Sequence, residues 1–178
     1  MKIGVFCSAN NNIADIYFEK TKELGRWMGE NHHTLVYGGC NSGLMECGAE
    51  AVKGANGTVI GVVPTILEKH GRISDFVDVA VHTDNLSDRK DLLLAHSDVI
   101  IALPGGIGTL DEIFTVAAAH TIGYHAKKVI LYNIEHFYDS LIALLNDLKE
   151  KNMVRGSWED KILCANTFEE LIESLQRL

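Results

Sequence analysis

The stretch that decides the fold is DVIIALPGGIGTLDE, which runs from Asp98 to Glu112. It begins with a short apolar run rich in β-branched residues, which is typical of a buried strand. Pro104 and the glycines at positions 105, 106 and 108 interrupt that run, and there the backbone can turn sharply. An apolar segment typical of a helix follows from Leu110 to Ala119. Because a strand, a glycine turn and a helix start bring free N–H groups and the positive helix end together, the stretch predicts an anion-binding site.

On both sides of this stretch, apolar strands alternate with amphipathic helical segments. The predicted strands are Lys2–Cys7, Thr34–Tyr37, Thr58–Val63, Phe76–Val81, Val99–Leu103, Lys128–Tyr132 and a weaker one at Lys161–Cys164. The predicted helices are Ile13–Asn31, Gly43–Gly54, Asn85–His96, Thr109–His120, Phe137–Lys151 and Thr167–Gln176. This alternation favours a mostly parallel sheet with helices on both faces. The sequence therefore predicts an α/β fold, a single doubly wound Rossmann-like domain over residues 1–178.

Composition excludes several classes of function. The formal net charge of −8 makes nucleic acid an unsuitable partner, because sequence-independent binding needs a basic face. No stretch is long and apolar enough to cross a membrane, and Met1–Cys7 resembles a first strand rather than a signal peptide. We therefore expect a cytoplasmic protein whose four cysteines are reduced, with Cys7 and Cys40 as small buried side chains rather than nucleophiles.

The spacing of motifs further limits the classes of reaction and ligand that the sequence is compatible with. The eight histidines and the cysteines show no metal-ligand spacing, and neither Gly-x-Ser-x-Gly nor a Walker A pattern occurs. A second glycine turn, Gly38 to Gly43, follows the second strand, so two such turns could hold a phosphate and a sugar together. Neither turn follows the first strand with the spacing of a dinucleotide fingerprint. We expect no metal and no cofactor. The polar segment Glu68–Ser74 is compatible with a lid or with a simple connection.

Glu112 has two interpretations. Thr109-Leu110-Asp111-Glu112 matches a capping box with Thr109 at the N-cap and Glu112 three residues later. A carboxylate in the first turn of a helix that binds a phosphate can also face the bound sugar. Spacing alone favours the cap, but the two roles are compatible.

Arg89 and Lys90 also have two interpretations. Helical spacing places Arg89 beside Leu86, Leu92 and Leu93. It places Lys90 beside Leu86, Leu93 and Leu94, so both are expected to be half-buried. They could lay their stems over the core and expose their charged ends. They could instead bind a phosphate, with Arg89 as a fork and Lys90 as a second point charge.

Three blocks in the correct order resemble the Lonely Guy family, the cytokinin riboside 5′-monophosphate phosphoribohydrolases, whose members also carry an older lysine decarboxylase label. Pro104 to Glu112 matches the family's Pro-Gly-Gly-x-Gly-Thr-x-x-Glu signature. Tyr37-Gly38-Gly39 with Gly43-Leu44-Met45 resembles a second block, and Leu86 to Lys90 resembles a third. The likeness extends from Val5 to the helix after Phe137.

The resemblance implies a Rossmann-like fold, usually a homodimer, that hydrolyses the N-glycosidic bond of an adenine-type nucleoside 5′-monophosphate. It implies Glu112 and Arg89 as the catalytic pair. The predicted substrate-binding residues are Ser8, Gly38, Gly39, Gly43, Arg89, Lys90, Pro104, Gly105, Gly106, Ile107, Gly108, Thr109 and Glu112. A lysine decarboxylase would need a Schiff-base lysine, and no feature of the sequence marks Lys90 or Lys128 as one.

Six residues depart from the family pattern around this pair: Cys40, Glu46, Ser87, Thr115, Ala119 and Thr121. They leave the identity of the released base open. They also keep two alternatives open: a non-catalytic nucleotide-binding or carrier protein, and an enzyme that cleaves a phosphorylated nucleoside outside the adenine series. The apolar helix Thr109–Ala119 is compatible with a homodimer interface or with a deep core helix.

Overall fold

Strands and helices alternate along the chain as the sequence predicts. The computed structural model describes the backbone of residues 1–178 and every side chain except that of Leu67. The described strands are β1 (Lys2–Phe6), β2 (Thr34–Tyr37), β3 (Thr58–Pro64), β4 (Val79–Thr83), β5 (Val99–Ala102), β6 (Val129–Tyr132) and β7 (Ile162–Ala165). The described helices are α1 (Asp15–Glu30), α2 (Gly43–Gly54), α3 (Thr65–Lys69), α4 (Leu86–Ala95), α5 (Ile107–Thr121), α6 (Asp139–Glu150) and α7 (Phe168–Gln176).

One parallel sheet with the strand order β4-β3-β2-β1-β5-β6-β7 carries the fold. The chain builds the sheet outward from β1 to β4, then returns to the other side of β1 with β5. This reversal confirms the predicted doubly wound α/β architecture, and such sheets bind ligands in the crevice where the strand order reverses.

The hydrophobic core has two parts, one on each face of the sheet. On one face, α1, α2 and α7 contribute buried side chains such as Leu24, Val52 and Leu171. On the other face, α4, α5 and α6 contribute Leu93, Ile113 and Leu145. Strands buried on both faces explain why β5 and β6 are continuous apolar runs rather than alternating ones. Among the described helices, none combines the length and apolarity needed to span a membrane.

Three predicted elements differ in detail. The predicted strand Phe76–Val81 forms at Val79–Thr83, because Phe76 and Val77 pack against the core from the preceding loop and parallel pairing begins opposite Ile60. The short helix α3 was not predicted. The connection after α3 is fastened to the β2 turn, since Asn41 N–H donates to Arg72 and Ser74 N–H donates to Gly39.

Candidate functional site

The loops after β1 and β5 meet where the strand order reverses. Leu103 N–H donates to the Phe6 carbonyl at 2.9 Å, and Ser8 N–H donates to the Pro104 carbonyl at 3.1 Å. A cavity of about 320 Å³ opens beside this junction. Its lining residues are Cys7, Ser8, Ala9, Asn10, Met45, Arg89, Gly106, Gly108, Thr109 and Glu112.

The first turn of α5 presents backbone N–H groups to this cavity. Among the described residues, none accepts a hydrogen bond from the N–H groups of Gly105 to Thr109. Gly106 and Gly108 line the cavity, and a Cβ at either position would lie in open space. These two glycines are therefore not needed to relieve contacts within the protein. They leave room for a ligand to approach the positive end of the helix.

The predicted capping box is wrong. The helix begins at Ile107 with Gly106 at the N-cap, and no side chain caps it. Thr109 therefore lies in the first turn, where its side chain packs against Gly105. The extended backbone of Gly106 lets the helix start earlier than the capping pattern indicates, which places Glu112 well inside the helix. Its carboxylate does not cap the helix and is available to the cavity.

Glu112 is a buried carboxylate, with 8% of its surface exposed. Burial raises its pKa to about 7, and the positive charge of Arg89 opposes that rise. The distance from Glu112 Oε1 to Arg89 Nη1 is 4.0 Å, too long for a direct hydrogen bond. Glu112 can therefore exchange a proton near neutral pH, as a catalytic acid or base must.

Arg89 is held by the ends of two strands. Its Nη2 donates to the Gly38 carbonyl at 3.3 Å, and its Nε donates to the Val62 carbonyl at 3.4 Å. A Cβ at position 38 would overlap the guanidinium, so glycine is required there. The remaining Nη1 edge faces Glu112 and the cavity. Half-burial of Arg89 and Lys90 was predicted and is confirmed.

Lys90 lies outside the cavity lining. Its Nζ donates to both carboxylate oxygens of Asp111, at 2.9 and 3.1 Å, and to Thr115 Oγ1 at 3.1 Å. The sequence predicts Lys90 as a second substrate-binding charge, whereas the structure directs its ammonium group to α5.

The second glycine turn packs against the loop after β1. Gly43 has a positive φ of 60°, and a Cβ there would overlap the backbone of Ala9. Gly43 N–H donates to Asn11 Oδ1 and Leu44 N–H donates to the Ser8 carbonyl, both at 2.9 Å. This turn therefore shapes the cavity and houses Arg89, while its first helical N–H groups are already bonded.

Several site residues were not predicted from sequence. Met45 and Asn10 line the cavity. Tyr138 holds the start of the glycine turn, because its hydroxyl donates to the Leu103 carbonyl at 2.6 Å. No local pattern indicates this bond, because its partners lie 35 residues apart. Cys7 also lines the cavity, and burial raises the pKa of its thiol, which keeps it protonated and poorly nucleophilic.

The cavity lining contains no lysine. A pyridoxal-dependent decarboxylase needs a lysine that can form a Schiff base with its cofactor, so this lining does not suit pyridoxal phosphate. Among the described side chains, no group of three or more His, Cys, Asp or Glu residues is placed to hold a metal ion.

The site combines a crevice at the strand-order reversal, an open helix N-terminus and an adjacent Arg–Glu pair. These features define a Rossmann-like protein that binds a phosphorylated ligand.

A family model described as "Possible lysine decarboxylase" matches residues 45–175. A probable cytokinin riboside 5′-monophosphate phosphoribohydrolase from Oryza sativa subsp. japonica is 34% identical over 98% of this chain and 72% of its own. A cytokinin riboside 5′-monophosphate phosphoribohydrolase from Arabidopsis thaliana is also 34% identical, over 98% of this chain and 82% of its own. The chain belongs to this family of phosphoribohydrolases, the Lonely Guy family.

Solved structures share the fold. A molybdenum cofactor binding protein from Rippkaea orientalis matches with a TM-score of 0.76 and 26% identity, over 99% of this chain and 97% of its own. A molybdenum cofactor carrier protein from Chlamydomonas reinhardtii matches with a TM-score of 0.75 and 24% identity, over 99% and 98%. The second likeness concerns the fold alone.

Proposed function

We propose that this protein hydrolyses the N-glycosidic bond of an adenine-type nucleoside 5′-monophosphate and releases the free base and ribose 5-phosphate. The observation that carries the proposal is that Arg89 and Glu112 lie on the cavity into which the first turn of α5 opens. The named activity of relatives that are 34% identical over nearly the whole chain supports the same reaction.

The open N–H groups at the start of α5 bind the 5′-phosphate in this proposal. Gly106 and Gly108 permit its close approach, and the helix dipole adds to the attraction. The surrounding chain is acidic, with a net charge of −8, so capture of a dianion depends on this local arrangement and on Arg89.

Cleavage of the bond between the base and C1′ leaves positive charge on the sugar. The ionised Glu112 carboxylate stabilises that charge and accepts a proton from the attacking water. The water oxygen bonds to C1′, and the electron pair of the broken bond leaves with the base, which takes up a proton from solvent. Glu112 then returns the proton of the attacking water to solvent, so that one water is consumed. Arg89 binds the substrate through Nη1, because its Nε and Nη2 donate to Val62 and Gly38, and it assists departure of the base.

The test is incubation of purified protein with AMP and with isopentenyladenosine 5′-monophosphate, with free base measured by chromatography. Wild-type protein should release base, Glu112→Gln should lose turnover, and Asp91→Asn on an exposed part of α4 should retain it. Retained turnover in Glu112→Gln would overturn the assignment of Glu112. The faster substrate would define the base that the pocket prefers.

A non-catalytic carrier is the second candidate, because a solved neighbour at 26% identity is named for binding a cofactor. The enzyme is favoured, since the matching relatives named as phosphoribohydrolases are more similar in sequence. If wild-type protein releases no base but AMP raises its melting temperature, the carrier would be favoured. Release of base only from a non-adenine nucleotide would indicate a different substrate series.

We also propose a homodimer, as the family resemblance implies. Phe114 on the outer surface of α5 is 39% exposed, Ile122 directly after the helix is 63% exposed, and Met153 beside them is 74% exposed. These side chains border an apolar groove of about 390 Å³. A second copy of the chain packed on this face would cover them.

We also propose a cytoplasmic location, because all four cysteines are free thiols.

A further inference from the structure

Two pairs of adjacent residues face each other between α4 and α5. Arg89 and Lys90 are neighbours on α4, and Asp111 and Glu112 are neighbours on α5. The Lys90–Asp111 pair is closed, with Nζ and Oδ2 2.9 Å apart. The Arg89–Glu112 pair is open, with Nη1 and Oε1 4.0 Å apart. The two helices are therefore joined by one tight ion pair directly beside the loose pair that lines the cavity.

The ammonium group of Lys90 is fully engaged by α5. It has three hydrogens to donate, and it has three acceptors: Oδ1 and Oδ2 of Asp111 and Oγ1 of Thr115. The acceptors lie four residues apart on α5, so they occupy one face of that helix. A lysine held in this way is not free to bind a phosphate unless it gives up at least one of these bonds.

Arg89 is anchored on the opposite side by the strand-end carbonyls of Gly38 and Val62. The sheet thus fixes the guanidinium, and the position of α5 relative to α4 sets the distance to Glu112. Lys90, the neighbour of Arg89 on α4, links the two helices through its hydrogen bonds to Asp111 and Thr115. If the link were lost, α5 would be free to change its distance from Arg89, and the pair could close into an ion pair or separate.

We infer that Lys90 is a positioning residue that holds α5 against α4 through Asp111 and Thr115, so that Arg89 and Glu112 stay apart and both address one substrate. The inference deepens the proposed function and rests on it. It replaces direct phosphate binding by Lys90 with an indirect role through Asp111.

The charges around Glu112 supply a second readout beside the comparison of kcat with KM, namely the pH at which turnover falls. Arg89 and Lys90 face it from α4, and Asp111 lies on its own helix. Cys7, directly after β1, and Tyr138, directly before α6, are the other titratable neighbours. Lys90 lowers the pKa of Glu112 and Asp111 raises it. Removing Lys90 should therefore move the acid limb of the activity profile to higher pH, and removing Asp111 should move it to lower pH.

The experiment is a double-mutant cycle with Lys90→Met, Asp111→Asn and the double variant, measured with AMP as kcat, KM and pH profile. Each single change should lower kcat by about three- to tenfold with little change in KM, and the double should be no worse than the worse single. Thr115→Val should give a smaller loss of the same kind. Opposite displacements of the acid limb in the two single variants complete the expected result.

A different outcome would overturn the inference. If Lys90 binds the phosphate directly, Lys90→Met raises KM while Asp111→Asn frees the lysine and lowers KM. Additive effects of the two changes would equally contradict a shared role. AMP affinity is also measured by calorimetry for all four proteins and should change little, whereas direct phosphate binding by Lys90 would weaken it in Lys90→Met and strengthen it in Asp111→Asn. If the wild type binds AMP but releases no base, the proposed hydrolase activity is wrong, and the affinity measurements still test the role of Lys90.

Discussion

Arg89 Nη1 and Glu112 Oε1 lie 4.0 Å apart, both within largely buried side chains, and do not form a direct hydrogen bond. A closed, bidentate pair would hold the pKa of Glu112 below its usual range. Here burial is the larger influence, and the pKa rises to about 7. The open spacing thus gives the site a carboxyl group that titrates at neutral pH and an arginine with a free edge.

The first prediction concerns the pH dependence of turnover. Because the ionised form of Glu112 stabilises the cationic sugar, kcat/KM should fall as pH decreases through about 7, the pKa of that carboxyl. The rate profile from pH 5 to 9 with AMP checks this. The second ionisation of the substrate phosphate has a pKa of about 6, so it also lowers the rate in acid. The group responsible for the fall in kcat/KM is therefore assigned by comparing variants with the same substrate. A limb that is identical in wild type, Lys90→Met and Asp111→Asn would belong to the substrate.

The second prediction is that Glu112→Gln stabilises the fold at neutral and alkaline pH. The folded pKa of about 7 lies above the usual 4.5, so the folded state binds the proton more tightly than the unfolded chain. The associated stability is present below pH 4.5 and is lost as pH rises through 7. Relative to wild type, Glu112→Gln should therefore gain about 3 kcal/mol of unfolding free energy between pH 4.5 and pH 8. Urea unfolding at several pH values measures it, and a difference independent of pH would show that Glu112 does not titrate as described.

The third prediction separates two glycines of the same turn. Gly108→Ala should raise the free energy of unfolding by about 0.5 kcal/mol, because the position is helical and its Cβ meets no protein atom. It should also weaken AMP binding by about tenfold, since the methyl group occupies space next to the open N–H groups. Gly105→Ala should instead destabilise the fold by about 1–3 kcal/mol, because its Cβ would overlap Thr109. Urea unfolding and calorimetry on both variants check this pair. Unchanged AMP affinity in Gly108→Ala would place the phosphate elsewhere.

Comparison of two threonines shows what local sequence can predict. Thr167 caps α7 as its position before a helical pattern indicates, and its side chain accepts from Glu170 N–H. Thr109 has the same local signal and does not cap α5, because Gly106 adopts an extended conformation that starts the helix at Ile107. Strand positions were predictable because strands such as β5 and β6 are buried apolar runs. The pairing of Arg89 with Glu112 follows from the family resemblance, while the engagement of Lys90 by Asp111 depends on how two helices pack and has no local signal.

The fourth prediction concerns Tyr138, which supports the glycine turn from outside the cavity. Tyr138→Phe removes the donor to the buried Leu103 carbonyl, directly before Pro104, and should destabilise the fold by about 1–2 kcal/mol. Because the turn begins at that carbonyl, kcat/KM should fall as well. Tyr17→Phe is the matched control, since the Tyr17 hydroxyl makes no hydrogen bond to the described residues. Thermal unfolding and AMP kinetics of both variants test the prediction. Equal behaviour of the two variants would show that the bond to Leu103 does not support the site.

The fifth prediction tests the proposed homodimer on the outer face of α5. Ile122 is 63% exposed at the end of α5 and borders the apolar groove, so a charge there would oppose packing of a second copy. Lysine is the suitable replacement, because a positive charge at a helix C-terminus does not destabilise the helix. Light scattering after size-exclusion chromatography should show a dimer for wild type and a monomer for Ile122→Lys. The control Val79→Lys, on the outer strand β4, should remain dimeric because its side chain, 50% exposed, lies away from α5. A dimer that persists in Ile122→Lys would place the interface on another surface and leave the apolar face of α5 without this role.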